Sequence, residues 1–443
     1  MNANSPDTTI EFDCPACQSR LRVPSSLQGQ SAKCPKCGHI ANVPSTNPAA
    51  AVPPATTPSE QPAAVPTVAP GSIGPTANPQ PNEVVEDAGI LLPPEDVPVH
   101  ALDDAPENRT SIIDMPREPV VGRDTESRRL FESICQEVGK VFVGQRELVE
   151  GTLVALFSGG HVLIESVPGL GKTLFVRTLG KILGCDFGRI QFTADLMPSD
   201  ITGAPIFDMK TQEFRFRPGP VFTQLLLADE INRSPAKTHA ALLETMQERR
   251  VTVDGQTHQL DLPFLVVATQ NPIESEGTYN LPEAQLDRFL FKLRADYPSE
   301  EQEAKILMMH GDQTNLDKRL EDEVKTVASP EQILKITAES SKVRVEPVLV
   351  NYINRIVRLT RQWPQFYMGA SPRAGIGLIQ SARTLAAFYG RDYAVPDDVV
   401  QLAIPTLRHR VMLTAEAEVE GQKVDDLLRE LIRRVEVPRI EAT

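Results

Sequence analysis

The fold of this chain is decided by the stretch Ser166-Val167-Pro168-Gly169-Leu170-Gly171-Lys172-Thr173. It follows an apolar run, Val162-Leu163-Ile164, that predicts a buried strand, and it precedes a helix predicted to begin near Thr173. A loop that binds phosphate needs converging backbone N–H groups, which require glycine near the start of a helix. The spacing predicts a P-loop, or Walker A motif, in which Lys172 contacts the β- and γ-phosphates of ATP and the Thr173 hydroxyl binds Mg²⁺.

The loop departs from the strict P-loop pattern at its first position, where Ser166 replaces glycine. That position demands less of the backbone than Gly171, which is present. The alternative is a strand, turn and helix that contain Gly-Lys-Thr by chance. If the loop binds nucleotide, we expect the contacts to come from Pro168, Gly169, Leu170, Gly171, Lys172, Thr173 and Leu174.

A second motif follows the apolar run Leu225-Leu226-Leu227-Ala228, which ends in two adjacent acids, Asp229 and Glu230. A buried strand that ends in paired acids is costly, because unpaired carboxylates resist burial. The functional interpretation is a Walker B motif, in which Asp229 binds Mg²⁺ and Glu230 polarises the attacking water as general base. Alternatively the acids cap the next helix, although Asn232 and Ser234 are available for that role.

Apolar strands alternate with amphipathic helices between about residues 125 and 297. The apolar runs contain no polar interruptions, as expected of parallel strands covered on both faces. Further strands are predicted at 189–192 and 264–268. Beyond residue 297 the pattern is helical only. The sequence therefore predicts an α/β P-loop core over residues 116–297 and an all-helical lid domain over residues 298–443.

Two near-copies occur close to the N-terminus, Cys14-Pro15-Ala16-Cys17 and Cys34-Pro35-Lys36-Cys37. Each turn directs two sulfurs at one ion, and four thiolates favour tetrahedral Zn²⁺ in a closed structural site. We expect a zinc ribbon over residues 10–44, with a short strand after each pair and with Cys14, Cys17, Cys34 and Cys37 as ligands. The alternatives are a redox pair and a vestigial ribbon that binds no metal.

Composition limits the other possibilities. Residues 45–115 are rich in Pro, Ala, Thr and Asn without a helix or strand period, which predicts a disordered linker. The 443 residues include 45 Lys and Arg against 59 Asp and Glu, a net charge of −14 that disfavours nucleic acid as a partner. Residues 1–12 are mostly polar, so we expect no signal peptide, and no apolar run reaches the ~20 residues that span a bilayer. We expect a cytoplasmic protein without membrane insertion.

Longer stretches match one family in detail. They are Asp229-Glu230-Ile231-Asn232-Arg233-Ser234-Pro235-Ala236-Lys237, Ala268-Thr269-Gln270-Asn271-Pro272-Ile273-Glu274, Glu276-Gly277-Thr278-Tyr279 and Leu281-Pro282-Glu283-Ala284-Gln285-Leu286-Asp287-Arg288-Phe289. Through them, about residues 142–410 resemble the MoxR branch of the AAA+ ATPases. The resemblance implies an ATP- and Mg²⁺-dependent, chaperone-like remodeler. Such a protein forms a homo-oligomer, which we expect to be a hexameric ring, and acts on a client protein, often with a von Willebrand A-domain partner.

The resemblance also implies roles for single residues. Gly144 and Gln145 match the segment near the adenine, and Asn271 matches sensor 1, which orients the attacking water. Arg288 matches the arginine that reaches the γ-phosphate of a neighbouring subunit, and Arg373 matches sensor 2 in the lid. Without the resemblance, Arg288 is interpreted as a surface partner of the preceding aspartate, and Arg373 as an exposed arginine at a helix start.

Two hairpins are predicted, one at 206–216 and one at 250–258 with an Asp254-Gly255 turn. The resemblance places such hairpins near the pore or substrate face of a ring. The ribbon and the linker are additions to the usual MoxR core. Two other classes stay open: a nucleic-acid-associated AAA+ motor, which the ribbon and hairpins allow, and a scaffold that changes shape when it binds nucleotide without catalysis.

Overall fold

The computed structural model describes residues 9–13, 15, 19–24, 30–37, 40–43, 119–271, 279, 281–311 and 316–438. These residues fall into two compact units, one within Met1–Glu95 and one within Asp96–Thr443. The predicted linker lies outside the described residues, and the predicted domain boundaries stay predictions. Within the described ranges, no helix is both long enough and apolar enough to cross a membrane.

The first unit contains two antiparallel pairs of short strands. They are β1 (Thr9–Asp13) with β2 (Arg20–Pro24), and β3 (Ser31–Lys33) with β4 (Ile40–Asn42). The strands predicted after each Cys-x-x-Cys are therefore confirmed, and each copy has a further strand before its cysteines. Leu21 and Cys34 are buried and pack with Phe12. This cluster is too small to supply much folding free energy by apolar burial alone.

The second unit begins with an α/β core. Its elements in chain order are α1 (Glu126–Val138), α2 (Arg146–Phe157), β5 (Val162–Ser166), α3 (Lys172–Leu183), β6 (Phe187–Gln191), α4 (Pro198–Thr202), β7 (Gly203–Asp208), β8 (Glu213–Pro218), β9 (Leu225–Asp229), a 3₁₀ helix (Ile231–Arg233), α5 (Ala236–Glu248), β10 (Arg250–Val253), β11 (Gln256–Gln259), β12 (Leu265–Gln270), α6 (Glu283–Leu286) and β13 (Phe291–Ala295). Five parallel strands form one sheet in the order β13-β5-β12-β9-β6. The predicted strands are confirmed with ends shifted by one or two residues, and β13 is an addition.

Side chains of β9 alternate between two separate cores. Leu225 and Leu227 pack into one, and Leu226 and Ala228 pack into the other. Both faces of the sheet are therefore covered, which explains why the strands are apolar at consecutive positions. The first of these cores extends into the helices that follow β13, so the sheet and the helical domain share buried side chains.

A buried histidine joins the sheet to a helix at the start of β5. The His161 Nδ1 atom accepts a hydrogen bond of 3.0 Å from the Val266 N–H, and its Nε2–H donates to the Met246 carbonyl at 3.1 Å. Complete burial lowers the pKa of His161 from 6.5 to about 4, because the charged form is poorly solvated there. The imidazole is therefore neutral at physiological pH.

Both predicted hairpins are confirmed. The strands β7 and β8 pair antiparallel, and so do β10 and β11. The residues of the turn between β10 and β11, Asp254 and Gly255, have φ values of 49° and 74°, the left-handed conformation of a type I′ turn. The first hairpin exposes aromatic side chains, because Phe214 is 73% exposed and Phe207 is 44% exposed.

The chain after β13 is mainly helical. Its elements are α7 (Glu300–Gly311), α8 (Leu316–Glu323), α9 (Pro330–Ser340), α10 (Pro347–Thr360), β14 (Phe366–Met368), α11 (Pro372–Phe388), α12 (Pro396–Leu407), β15 (Met412–Leu413), α13 (Ala415–Val419) and α14 (Val424–Arg434). The prediction of helices alone is wrong at β14 and β15, which pair antiparallel. Strands of two or three residues are too short to show a period-2 pattern.

The topology gathers the predicted motifs at one edge of the sheet. The P-loop follows β5, the acids close β9, and Asn271 follows β12, which lies between those two strands. Carboxyl ends of parallel strands meet at the same edge, which is where α/β proteins bind ligands. Motifs that are far apart in sequence therefore border a single site.

Candidate active site

The P-loop leads directly into α3. Gly171 precedes the helix with φ 74°, and Gly169 has φ 86°, both in the left-handed region. A Cβ at Gly169 would meet no heavy atom within 4 Å, so conformation and not crowding demands glycine there. No described side chain caps the start of α3, so its first backbone N–H groups point at the space in front of the loop. This arrangement suits a phosphate group.

The departure at Ser166 has a structural explanation. Ser166 is the last residue of β5 and is 3% exposed, so it has extended backbone and needs no glycine. Lys172 and Thr173 form the first turn of α3 and are half-buried. Thr173 and Asp229 both lie at the carboxyl edge of the sheet, and their hydroxyl and carboxylate oxygens are hard donors of the kind that Mg²⁺ prefers, so the residues present fit this ion.

Asp229 is held at both carboxylate oxygens. The Thr269 hydroxyl donates to Asp229 Oδ1 at 2.6 Å, and Arg189 Nη2 donates to Oδ2 at 2.7 Å. The Thr269 hydroxyl also accepts the backbone N–H of Glu230 at 2.9 Å. One buried hydroxyl of β12 therefore connects the two acids at the end of β9.

Glu230 has an unusual backbone conformation. Its φ of 55° and ψ of 49° lie in the left-handed region, which costs a non-glycine residue ~1–2 kcal/mol. Its Oε2 accepts 2.7 Å from Gln191 Nε2 and pairs with Arg233 Nε at 3.1 Å. The alternative that the acids cap α5 is not supported, because Pro235 occupies that N-cap position and no side-chain cap bond is present.

Three residues around the acids were missed by the sequence reasoning. The family-like stretch that contains Thr269 implies no role for this residue, and the pattern around Arg189 and Gln191 predicts only a strand. Arg189 and Gln191 are two positions apart on β6, beside β9, so both side chains reach the same side. Polar residues at alternate positions near the end of a strand can predict side chains that contact acids on the neighbouring strand, as Arg189 and Gln191 do here.

The segment before α2 packs beside the P-loop helix. Gly144 and Gln145 are both left-handed, with φ values of 77° and 51°. The Phe142 ring contacts the Phe175 ring of α3 with centroids 5.0 Å apart. A Cβ at Gly144 would come within 2.7 Å of the end of the flexible Gln302 side chain in α7, so the left-handed backbone is the stronger demand for glycine there. This position next to α3 supports the expectation that Gly144 and Gln145 lie near the nucleotide.

Asn271 is buried directly after β12, with 6% exposure. The family-like residues that follow it, 272–278, lie outside the described residues. The structure therefore brings the P-loop, the two acids and Asn271 to one edge of the sheet. Arg288 lies between α6 and β13, and Arg373 lies in the first turn of α11.

Asp287 is next to Arg288 in the sequence and close to Arg373 in space. The Asp287 carboxylate accepts Arg410 Nε at 2.7 Å and the Ser371 hydroxyl at 3.1 Å, and it lies 3.7 Å from Arg373 Nη1. Asp287 is thus paired with the helical domain and not with Arg288. The half-buried Arg288 side chain makes no hydrogen bond or ion pair with another described residue.

The start of α11 agrees with its prediction. Ser371 is the N-cap residue, its hydroxyl accepts the Arg373 N–H at 3.2 Å, and Pro372 occupies the first turn. The Arg373 side chain is 57% exposed. It is therefore free to leave Asp287 for another anion at little cost, since an exposed ion pair is worth about 0–1 kcal/mol.

The predicted zinc ligands are only partly described. Cys34 is 1% exposed and follows β3, Cys37 is exposed, and Cys14 and Cys17 lie outside the described residues. Among the residues that the structure does describe, no group of three or more His, Cys, Asp or Glu side chains is arranged to hold a metal ion. The zinc site stays a prediction, because half of its expected ligands are not among them.

A P-loop, a buried Asp229 followed by a partly exposed Glu230 at the same sheet edge, and a helical lid define a P-loop ATPase of the AAA+ class. The model of the ATPase family associated with various cellular activities (AAA) matches residues 161–291, and that of the AAA lid domain matches residues 358–431.

The chain is 48% identical over 309 residues to YeaC of Bacillus subtilis, an alignment that spans 70% of this chain and 95% of YeaC. It is 44% identical over 321 residues to the chaperone MoxR1 of Mycobacterium tuberculosis, which spans 70% of this chain and 83% of MoxR1. The crystal structure of a protein from Cytophaga hutchinsonii superimposes with a TM-score of 0.66 at 41% identity, covering 71% of this chain and 96% of that one. The chain belongs to the MoxR family of AAA+ ATPases, and it binds and hydrolyses ATP with Mg²⁺.

Proposed function

We propose that this ATPase is a chaperone-like remodeler that assembles or activates a protein client. One relative of 44% identity is the chaperone MoxR1, which supports this role. The main structural support for catalysis is the Thr269 hydroxyl, which hydrogen-bonds both Asp229 and the backbone of Glu230 beside the P-loop. A scaffold that only binds nucleotide has no need of a strained, hydrogen-bonded glutamate at this place.

In this proposal the P-loop backbone from Pro168 to Leu174 and the Lys172 ammonium hold the phosphates. Thr173 and Asp229 would hold Mg²⁺, which when bound neutralises charge on the phosphates. The fixed carboxylate of Asp229 suits a permanent ligand. Gly144 and Gln145 lie on the adenine side.

Glu230 is the proposed general base, and Asn271 orients the attacking water. The Glu230 carboxylate is 23% exposed, and its only side-chain contacts among the described residues are with the flexible Gln191 and Arg233. It can therefore turn toward a water and accept its proton. Because Asn271 follows the strand between the P-loop strand and the acid strand, its amide borders the same space.

Arg288 is proposed to act across a subunit interface, and Arg373 to link the lid to the bound nucleotide. The Arg288 side chain has no partner among the described residues of its own chain, although it is half-buried. Such arginines neutralise transition-state charge and are worth ~10³–10⁵ in rate. The assembly would be a homo-oligomer, specifically a hexameric ring, and it would work with a von Willebrand A-domain partner.

We also propose that Cys14, Cys17, Cys34 and Cys37 bind a structural Zn²⁺ and that the chain works in the cytoplasm, where thiols stay reduced. Two paired strands around each Cys-x-x-Cys support this, because the small unit needs another source of folding free energy. Metal analysis of the full chain should find zinc at one per chain, and Cys34→Ser should lose it. Equal zinc in parent and variant would contradict the proposal.

The test of the ATPase proposal is turnover per subunit against protein concentration. We expect specific activity to rise with concentration as subunits assemble, and Glu230→Gln and Arg288→Ala to abolish it. Glu244→Gln, an exposed acid of α5, and Arg344→Ala, an exposed lid arginine, are matched controls that should retain activity.

A parent that is inactive at every concentration, with or without a client, would overturn the remodeler in favour of a nucleotide-gated scaffold. Activity that does not depend on Arg288 would remove the trans-acting role alone. Steeply salt-dependent DNA binding would instead favour the nucleic-acid motor.

A further inference from the structure

Arg410 makes an unusually complete set of contacts for a lid residue. It lies in the turn after α12, and its side chain is 3% exposed. Its Nε atom donates to Asp287 Oδ1 at 2.7 Å, and Nη2 donates to the carbonyls of Asp287 at 3.2 Å and Phe289 at 2.7 Å. Its Nη1 donates to the Leu290 carbonyl at 3.1 Å and to the carbonyl of Thr406 in α12.

These contacts surround Arg288. The guanidinium binds the backbone on both sides of Arg288 without contacting the Arg288 side chain. His409 adds a second bond from the lid, since its Nε2 donates to the Phe289 carbonyl at 3.0 Å. A planar guanidinium with several fixed donors sets position more tightly than a single ammonium can. The backbone that carries Arg288 therefore follows the end of α12.

We propose that Arg410 is a positioning residue for Arg288, so that the lid of each subunit sets the arginine that the subunit offers to its neighbour. The inference rests on the proposed action of Arg288 across the interface. Asp287 strengthens the link, because its carboxylate also contacts Ser371 and Arg373 at the start of α11. Asp287 thereby links the two proposed arginines, because its carboxylate contacts Arg373 and its backbone continues into Arg288.

The test uses full-length variants with an intact Glu230. Arg410→Lys keeps the charge and removes the planar set of donors. Asp287→Asn keeps Arg410 and weakens the Arg410–Asp287 ion pair. It replaces the first variant in the test if Arg410→Lys does not fold. Arg391→Lys is the matched control: Arg391 is another buried lid arginine, 2% exposed, and its guanidinium donates hydrogen bonds to Val120, Tyr393 and Asp398.

We expect Arg410→Lys alone to lose about 10²-fold in ATP turnover, the loss typical of a ~1 Å misplacement in an active site. Binding of a fluorescent ATP analogue should change by less than about twofold, because Arg410 contacts no P-loop residue. Arg391→Lys should keep turnover near that of the parent.

The decisive measurement mixes Arg410→Lys subunits with an equal amount of Glu230→Gln subunits. Glu230→Gln subunits cannot hydrolyse ATP but still offer an intact Arg288. Only the Arg410→Lys subunits, which make up half of a randomly mixed ring, can hydrolyse ATP. Half of these face a Glu230→Gln neighbour with a correctly placed Arg288, so turnover should recover to about a quarter of the parent rate. Arg288→Ala mixed with Glu230→Gln is the positive control and should recover equally.

The inference is overturned if the Arg288→Ala mixture recovers and the Arg410→Lys and Asp287→Asn mixtures do not, since these residues then serve their own subunit's site. It is also overturned if both variants retain parental turnover alone, or if Arg391→Lys loses as much. If the Arg288→Ala mixture itself fails to recover, trans action is wrong, and the positioning role falls with it.

Discussion

Thr269 offers the sharpest test of the site, because one hydroxyl makes two bonds in a fully buried place. Thr269→Val keeps the shape and removes the hydroxyl. The bond to the Asp229 carboxylate is worth about 1.5–3 kcal/mol, and the bond from the Glu230 N–H about 1 kcal/mol. We therefore expect the free energy of unfolding to fall by about 3 kcal/mol.

The loss of turnover should be larger than stability alone explains. Without the hydroxyl, Asp229 keeps only Arg189, and the left-handed backbone of Glu230 loses the bond from its N–H. Groups that orient metal ligands typically contribute 10–100-fold to activity. The turnover number should fall by that factor, while KM for ATP changes little, because the P-loop is unchanged.

The assay pairs urea unfolding with steady-state ATP hydrolysis for Thr269→Val and for Thr269→Ser. The serine variant keeps the hydroxyl and should retain most of the turnover, although it loses a buried methyl group. Turnover of the valine variant within about twofold of the parent would show that the hydroxyl does not organise the acids. Equal losses in both variants would assign the effect to packing.

Three further outcomes are expected. Gly171→Ala should bind ATP about tenfold more weakly, because alanine at φ 74° costs ~1–2 kcal/mol, whereas Ser166→Gly should bind normally. The pKa of His161 is about 4 in the folded protein and 6.5 in the unfolded chain. Its contribution to the free energy of unfolding is therefore complete above about pH 6.5 and is lost as the pH falls toward 4. As the pH falls from about 7 to about 5, the free energy of unfolding measured in urea should therefore decrease by about 2 kcal/mol less in His161→Gln than in the parent. Burial raises the pKa of Cys135 and Cys185 to about 12, so iodoacetamide at about pH 8 should label neither until the protein is unfolded, as intact mass will show.

The sequence was sufficient for the parts of the fold that depend on local pattern. A glycine-rich loop between an apolar run and a helix, and a strand that ends in two acids, both carry their chemistry within a few residues. The hairpins were predictable for the same reason, since Asp254-Gly255 selects a tight turn. The helical pattern beyond residue 297 predicted the lid domain, although it did not reveal the short pair β14 and β15.

The contacts that hold the site were not predictable, because they join residues far apart in sequence. Thr269 reaches Asp229 across 40 positions, and Arg410 reaches Asp287 across 123. No periodicity records which strand lies beside which. Only the sheet order, with β12 between β5 and β9, shows that a threonine of one strand faces the acids of another.

The different surroundings of the two acids support their proposed division of labour. Asp229 is 11% exposed and is bonded at both oxygens by groups on neighbouring strands, so it cannot turn without breaking contacts with the sheet. Glu230 is 23% exposed, lies just beyond the strand, and is held by the flexible side chains of Gln191 and Arg233. A metal ligand must stay fixed through a catalytic cycle, whereas a general base must approach a water and then release its proton. The sheet fixes the first acid, and the left-handed backbone of the second turns it out of the strand, where it has room to move.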